Sequence, residues 1–231
     1  MAESLDYMAT ELEKTAGGSH DEKTLNTAVA SLIQKVMKEH KAIIYNGDNY
    51  TAEWHEEAGK RGLPNLKNTV EALPALISPK AVEVFQKYGV LSEREIHSRY
   101  DIYVERYCKD INTESLCALS MAKTMLLPAA YRYQGELASI ASSLKNIGKT
   151  PHLGTLDAVT QLTADLEKNI AGLESAIGHH GGGDLLAEAK HFQGTVIPAM
   201  LAVRETSDKL ESIVADDLWP LPTYREMLFI K

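Results

Sequence analysis

The 231-residue sequence lacks several features that would assign it to a class at once. No run of apolar residues approaches the roughly 18 that a membrane span requires. The 24 basic residues are outnumbered by 32 acidic ones, and a net charge of −8 disfavours binding to the phosphate backbone of a nucleic acid. Residues 1–13 contain no lysine or arginine, which a secretory signal peptide would carry. We therefore expect a cytoplasmic protein with no nucleic-acid partner and no membrane partner.

Cysteine is also scarce, since Cys108 and Cys117 are the only two. Along a helix nine residues turn through about 900°, which places the two side chains on opposite faces. A disulfide between them is then excluded unless the helix breaks. We predict two reduced, buried thiols. The chain needs no disulfide, because a chain of this length buries roughly 70–75% of its surface on folding.

Strand patterns are missing as well, because no alternating run of β-branched residues is bounded by turns. Apolar residues instead recur at three- and four-residue steps, which predicts helices. Gly17-Gly18 separates the first two stripes, and Asp21 is the expected cap of the second helix. The first stripe comprises Leu5, Met8, Ala9 and Leu12, and the second comprises Leu25, Val29, Leu32, Ile33, Val36 and Met37.

Two more helix starts carry recognisable signals. Ser78-Pro79 places a cap before a proline in the first turn, and Ser92-Glu93-Arg94-Glu95 has the form of a capping box. A long helix is expected after that box, with an interruption at Asn112 or Thr113 and a kink at Pro128.

The last third gives the clearest pattern, which is two apolar seams joined by the glycine loop 178–183. The first seam comprises Leu156, Val159, Leu162, Leu166, Ile170, Leu173 and Ile177, and the second comprises Leu185, Ala189, Phe192, Val196, Met200, Val203, Leu210 and Val214, with Ser207 as a polar member. Such paired seams predict an antiparallel helical hairpin. The predicted fold class is all-α, a helical bundle with a long antiparallel helical hairpin in the C-terminal third. We expect the short tail 224–230 to dock on that bundle.

We predict a single helical domain over residues 1–231. Its possible sub-parts are a region of short helices at 1–91 and a long-helix bundle at 92–231.

Several short motifs resemble functional sites, but each has a simpler interpretation. Gly148-Lys149-Thr150 lacks the glycine and the preceding strand of a phosphate loop. Ser19-His20-Asp21 holds adjacent residues that point in different directions, unlike a catalytic triad. Glu188 and His191 form one E-x-x-H pair where a di-iron bundle needs two, so we interpret them as a polar pair on a solvated face. His179-His180 lacks further metal ligands. We assign no catalytic residue, no cofactor-binding residue and no metal ligand.

A tyrosine stripe, Tyr100, Tyr103 and Tyr107, is either a binding platform or core and interface packing, and we favour packing. Four arginines lie in the same region and are either surface ion-pair partners or buried bidentate partners of carboxylates. They are Arg94, Arg99, Arg106 and Arg132.

Three stretches of the chain resemble one known family. They are NYTAEWHEEAGKRGLPNLKNTVEALPAL (49–76), FQKYGVLSEREIHSRYDIYVERYCKDINTESLCALSMAKTMLLPAAYRYQGELA (85–138) and DLWPLPTYREMLFI (217–230). They are similar to the C-terminal region of type III glutamine synthetase, and the first helix, AESLDYMATELE, fits the same family. The resemblance covers nearly the whole chain but only about the last third of the parent enzyme.

The resemblance implies a parent that makes glutamine from glutamate, ammonia and ATP with divalent metals such as Mg. It also implies that the catalytic motifs lie upstream on a strand-rich core, so the segment itself carries no catalysis and no cofactor. The expected partners are the catalytic core of its own parent chain and neighbouring subunits of a homo-oligomer built from hexameric rings. We further expect the natural chain to begin upstream of Met1. Tyrosine, tryptophan, methionine and arginine between positions 99 and 134 and in the tail favour contact surfaces. The alternative is an independent helical interaction module or metal-binding bundle.

Overall fold

The computed structural model describes residues 1–19, 21–179, 184–222 and 224–228, and over these ranges the chain is helical without a strand. The all-α prediction is therefore confirmed. The chain divides into two compact units, Met1–Tyr100 and Asp101–Lys231. The prediction of one domain over 1–231, with sub-parts at 1–91 and 92–231, stays a prediction.

The first unit consists of short helices. Helix α1 packs against α2, and segments of 3₁₀-helix occupy Lys41–Ile43 and Leu73–Ile77. The helices are α1 (Ala2–Ala16), α2 (Glu22–Glu39), α3 (Ala52–Lys60), α4 (Thr69–Ala72), α5 (Pro79–Lys87) and the start of α6 (Glu93–Met121).

The predicted start and stop signals of these helices are confirmed. Asp21 Oδ2 accepts a hydrogen bond from the Thr24 amide at 3.1 Å, and Gly17 ends α1 with φ +58°. Ser92 and Glu95 form a reciprocal box. The Ser92 amide donates to Glu95 Oε2 at 2.8 Å, and the Glu95 amide donates to Ser92 Oγ at 3.3 Å.

We expect Ser92→Ala to lower the free energy of unfolding by about 1 kcal/mol, because the free amide of Glu95 then loses its side-chain partner. Urea titration followed by circular dichroism measures this difference. Ser98→Ala is the matched control. Ser98 is exposed within α6, where alanine has the higher helix propensity. An equal loss at both positions would contradict the capping role.

The second unit is an up-down-up bundle of long helices. Helix α7 packs on α8, α8 packs on α10, and α10 contacts the segment that precedes α7. The predicted antiparallel hairpin is thus confirmed as α8 against α9 and α10. The elements after α6 are α7 (Leu127–Asn146), α8 (Gly154–Gly178), α9 (Leu185–His191), α10 (Ile197–Glu211) and α11 (Tyr224–Leu228).

The core of the second unit follows the predicted seams. Every residue of both seams is buried or half-buried, including the polar Ser207, whose hydroxyl donates to the Val203 carbonyl at 2.8 Å. At 25 residues α8 is about 37 Å long, enough to contact both neighbouring helices along several turns. The three-residue and four-residue steps therefore report buried faces correctly here.

Polar side chains tie α8 to its neighbours. Asn169 on α8 donates to the Ala202 carbonyl at 3.1 Å and to Thr206 Oγ1 at 2.9 Å. On another face of α8, partners recur every seven residues, which is two helical turns. The pairs are Gln134 with Thr160 (3.0 Å), Tyr131 with Glu167, and Lys123 with Glu174 (2.8 Å). These ties fix the position of each helix along α8.

Two π-turns accommodate two internal prolines. The turn at Ala122–Leu126 precedes Pro128, and the turn at Phe192–Val196 precedes Pro198. In each turn the last amide bonds a carbonyl five residues back, Leu127 to Ala122 and Ile197 to Phe192. A proline supplies no amide hydrogen and its ring crowds the carbonyl four residues earlier, so a wider turn before it removes the conflict. The kink expected at Pro128 stays a prediction, but the chain remains helical through it.

One sequence prediction about local structure is wrong. Helix α6 runs without interruption through Asn112 and Thr113, because an asparagine and a threonine disfavour a long helix too weakly to end it. The docking expected of the tail 224–230 stays a prediction, because Phe229 and Ile230 lie outside the described residues, while Met227 and Leu228 are exposed. Trp219, before the tail, is buried, and its indole N–H has no partner among the described residues.

Candidate interaction surface

The motifs that resembled catalytic or metal sites serve local structure. Ser19 Oγ accepts from the Asp21 amide at 3.2 Å, so these two residues shape the start of α2, while His20 lies outside the described residues. Gly148 takes φ +74° after α7, as expected of a helix end. His179 Nδ1 lies 2.6 Å from the Ser175 carbonyl of its own helix, and His180 is not described.

The Glu188 and His191 pair is not on a solvated face as predicted. Both side chains are half-buried, and His191 Nε2 lies 2.9 Å from the Ala176 carbonyl on α8. The imidazole also meets the Phe192 ring edge to face. Histidine therefore links α9 to α8. Across the described ranges no three histidine, cysteine or acidic side chains are grouped closely enough to hold a metal ion.

The two cysteines differ in exposure. Cys108 is buried as predicted, and its thiol lies 4.0 Å from the Leu185 carbonyl. Cys117 is exposed, so the prediction of a buried thiol there is wrong. Burial, with a smaller effect from the Glu188 carboxylate, raises the pKa of the Cys108 thiol.

We expect only Cys117 to react with a thiol reagent such as dithionitrobenzoate under native conditions. The thiolate is the reactive form, and Cys108 is both shielded and harder to ionise. The assay is run at about pH 8, near the ordinary pKa of a thiol. Absorbance at 412 nm should rise quickly by the amount that one thiol per chain releases, and by the same amount again only when the chain is unfolded. Cys117→Ser should abolish the fast phase. Two equal fast phases would contradict this difference in burial.

The tyrosines and arginines of the central region lie largely on the surface. Tyr100 is buried, which confirms packing at that position, but Tyr103 is exposed. Tyr131 is also exposed, and the hydrogen bond from its hydroxyl to Glu167 raises the pKa of the phenol. All four arginines are exposed, so the buried bidentate alternative is wrong, and Arg106 lies 3.5 Å from Asp110 in a surface ion pair.

Helix α2 has a continuous exposed row of apolar side chains. At about 100° per residue, its apolar positions span roughly half of the circumference, wider than the stripe of about 100° that one neighbouring layer covers. Ala28 is buried, and Leu32 and Val36 are half-buried. The other edge of the apolar stripe is a row of exposed residues at four-residue steps, the α2 row. It comprises Leu25, Val29, Ile33 and Met37.

The residues of the α2 row belong to the apolar stripe predicted from the sequence, but the sequence pattern does not indicate that they are exposed. The six residues of the predicted stripe form two adjacent rows of four-residue spacing, which are too wide for one partner helix to cover. The width of the stripe is therefore the signal that could have separated the buried row from the exposed one.

A second cluster of side chains in the first unit joins α3 to the segment that precedes it. The rings of Tyr45 and Trp54 stack with centroids 4.5 Å apart, and the Arg61 guanidinium lies 5.6 Å from the Trp54 ring. Arg61 also donates to the carbonyl of Ile44 at 2.8 Å and to Glu57 at 2.7 Å. These contacts hold a loop from which Tyr50 projects, 95% exposed. Sequence reasoning missed this cluster, since its members are separated by loops of unknown course.

No helix within the described ranges combines the length and the apolar content needed to cross a membrane. The exposed apolar and aromatic side chains of the described residues are candidates for a functional surface. They suit a contact surface for another folded part.

Comparison with known proteins gives related sequences. The sequence profile of the family described as glutamine synthetase C-terminal domain matches residues 28–145. A glutamine synthetase of Butyrivibrio fibrisolvens is 32% identical over 227 residues, which cover 96% of this chain and 32% of that protein. A type-3 glutamine synthetase of Dictyostelium discoideum is 31% identical, covering 100% and 32% respectively. A glutamine synthetase of Bacteroides fragilis is 26% identical, covering 86% and 29%. The chain spans about a third of the length of these curated relatives.

Proposed function

Since the chain belongs to the glutamine synthetase C-terminal domain family, we propose that it is the helical C-terminal domain of a type III glutamine synthetase. In this proposal it packs against the catalytic core of its own parent chain and against neighbouring subunits of a cytoplasmic homo-oligomer of hexameric rings. The parent joins ammonia to glutamate at the expense of ATP, and this segment has a structural role.

The α2 row is the observation that carries the packing role. Four large apolar side chains in a line on one helix are exposed in this chain, and Ile33 is 57% exposed. A contiguous apolar face of this kind is typical of a surface that another part of the protein covers. The relatives provide such a part, because about two thirds of their length lies outside the matched region.

The residue types of this chain also favour a non-catalytic role. ATP and magnesium need grouped carboxylates and a phosphate cradle. The described residues offer no such carboxylate group, and Gly148-Lys149-Thr150 follows a helix rather than a strand. This supports our proposal that the nucleotide and the metal bind to the remainder of the parent.

The experiment compares the α2 row with the opposite face of α2 in two settings. Ile33→Asp places a charge in the row, and Ser31→Asp places the same charge about 160° around the helix. Both positions are exposed, so both variants of this chain alone should retain the unfolding midpoint of the unmodified chain. In the full natural reading frame, Ile33→Asp should reduce the assembled mass in light scattering and the rate of ATP-dependent glutamine formation, whereas Ser31→Asp should not.

Two results would overturn the proposal. One is a natural reading frame that does not continue into a glutamine synthetase core. The other is full assembly and activity of the Ile33→Asp parent. Glutamine formation by the present chain alone would contradict its non-catalytic role.

A further inference from the structure

Helix α1 is weakly attached to the rest of the first unit. None of its 15 residues is buried, and Leu5 is 60% exposed. Only Met8, Leu12 and Ala16 among its apolar residues are half-buried. An isolated helix of this length is marginal in water, so α1 depends on its neighbours to remain helical.

Two acidic side chains on α1 provide its specific contacts. Glu11 lies 2.8 Å from Lys35 Nζ on α2, and that ammonium group lies 5.3 Å from the ring centroid of Tyr7. Asp6 accepts from Lys87 Nζ at 2.7 Å and from the Tyr88 hydroxyl at 2.8 Å, at the end of α5.

The two contacts act at separate points along α1. Asp6 and Glu11 lie more than one turn apart, and one engages the end of α5 while the other engages α2. These hydrogen bonds and charges lower the pKa of both carboxyl groups, which are therefore ionised at neutral pH. Together they form a two-point electrostatic clamp on a helix with little apolar anchoring.

The two residues after α1 can act as a hinge. Gly17 and Gly18 follow one another with φ +58° and +78°, and neither Cβ position has a neighbouring atom within 4 Å. Two consecutive glycines give the backbone wide conformational freedom. A change of direction at this point therefore disturbs no packed side chain.

From these contacts we propose that α1 is a detachable arm, held by the clamp of Asp6 and Glu11, which separates from α2 and α5 about Gly17-Gly18 while the remainder stays folded. Separation exposes the half-buried face of α2, with Leu32 and Val36, and joins it to the α2 row. The proposal rests on contacts inside this chain and stands independently of the proposed function.

Hydrogen–deuterium exchange followed by mass spectrometry tests the arm in the present chain. Peptides from α1 should exchange faster in roughly 1 M sodium chloride than at low salt, because salt screens surface ion pairs. The double variant Asp6→Asn with Glu11→Gln keeps the side-chain shapes and removes both charges. It should speed α1 exchange at low salt by about threefold to tenfold, the range that two surface pairs supply. Peptides from α8 should not change.

Asp208→Asn is the matched control, since Asp208 belongs to the second unit and pairs with Arg204 at 3.6 Å on the exposed face of α10. It should leave α1 exchange unaltered. Exchange of α1 that does not respond to the double variant would overturn the clamp. Simultaneous acceleration of α1 and α8 would overturn the arm, because it would mean that the whole chain opens together.

Discussion

Leu166→Ala and Leu210→Ala are each expected to lower the free energy of unfolding by about 2–5 kcal/mol. Both leucines are 0% exposed, one on α8 and one on α10, at the seam of the hairpin. Truncation removes one methine and two methyl groups from the buried core and leaves a cavity that the packed helices fill only in part.

Urea or thermal unfolding followed by circular dichroism measures these losses. Leu201→Ala is the control on the same helix as Leu210, because Leu201 is 52% exposed. Leu201→Ala should lower the free energy of unfolding by about 0.5 kcal/mol or less. The slightly higher helix propensity of alanine reduces this loss further. Losses under about half of one kcal/mol at both seam positions would mean that the seam is not buried.

Asn169→Ala is expected to cost about 1–3 kcal/mol. The amide of Asn169 is the donor that joins α8 to both Ala202 and Thr206 on α10. Without this amide, the partly buried Thr206 Oγ1 loses one donor, although the same hydroxyl still donates to the Ala202 carbonyl at 3.0 Å. Loss of a partly buried hydrogen bond costs more than loss of a solvent-exposed one.

A double-mutant cycle separates this tie from general packing. Asn169→Ala and Thr206→Val, made singly and together, should show a coupling energy of about 1 kcal/mol, since the two side chains share a hydrogen bond of 2.9 Å. Gln161→Ala is the control for loss of an amide on α8, because Gln161 is exposed and its amide donates to Asp165 of its own helix at 3.1 Å. Additive effects of the cycle would show that the tie contributes nothing specific.

The hairpin was predictable because each of its helices has a narrow apolar seam. When a stripe is about as wide as one neighbour can cover, each apolar residue in it is buried, as Val159, Leu173 and Val203 are. Helix ends were predictable for a related reason, since Asp21 and Ser92 act on amides within their own turn. Both kinds of signal depend only on local spacing.

The exposure of an apolar side chain could not be predicted from the sequence where it depends on which other segments pack against the helix. Both rows of α2 consist of apolar residues, yet Leu32 is half-buried while Ile33 is exposed. Cys117 sits on a helix whose opposite face is buried, and sequence alone placed it inside. Contacts such as those of Arg61 with Ile44 and Trp54 join segments through loops, whose paths local spacing does not determine.

The paired π-turns have a consequence for the history of this sequence. Each holds one residue more than an α-helical turn would, next to a proline that conflicts with an α-helical ladder. A relative that lacks the proline at Pro128 or Pro198 should therefore also be one residue shorter just before that position. In an alignment of relatives, we expect a one-residue gap before each position in those relatives that lack its proline. Such a pattern would indicate that each π-turn arose by insertion of a single residue.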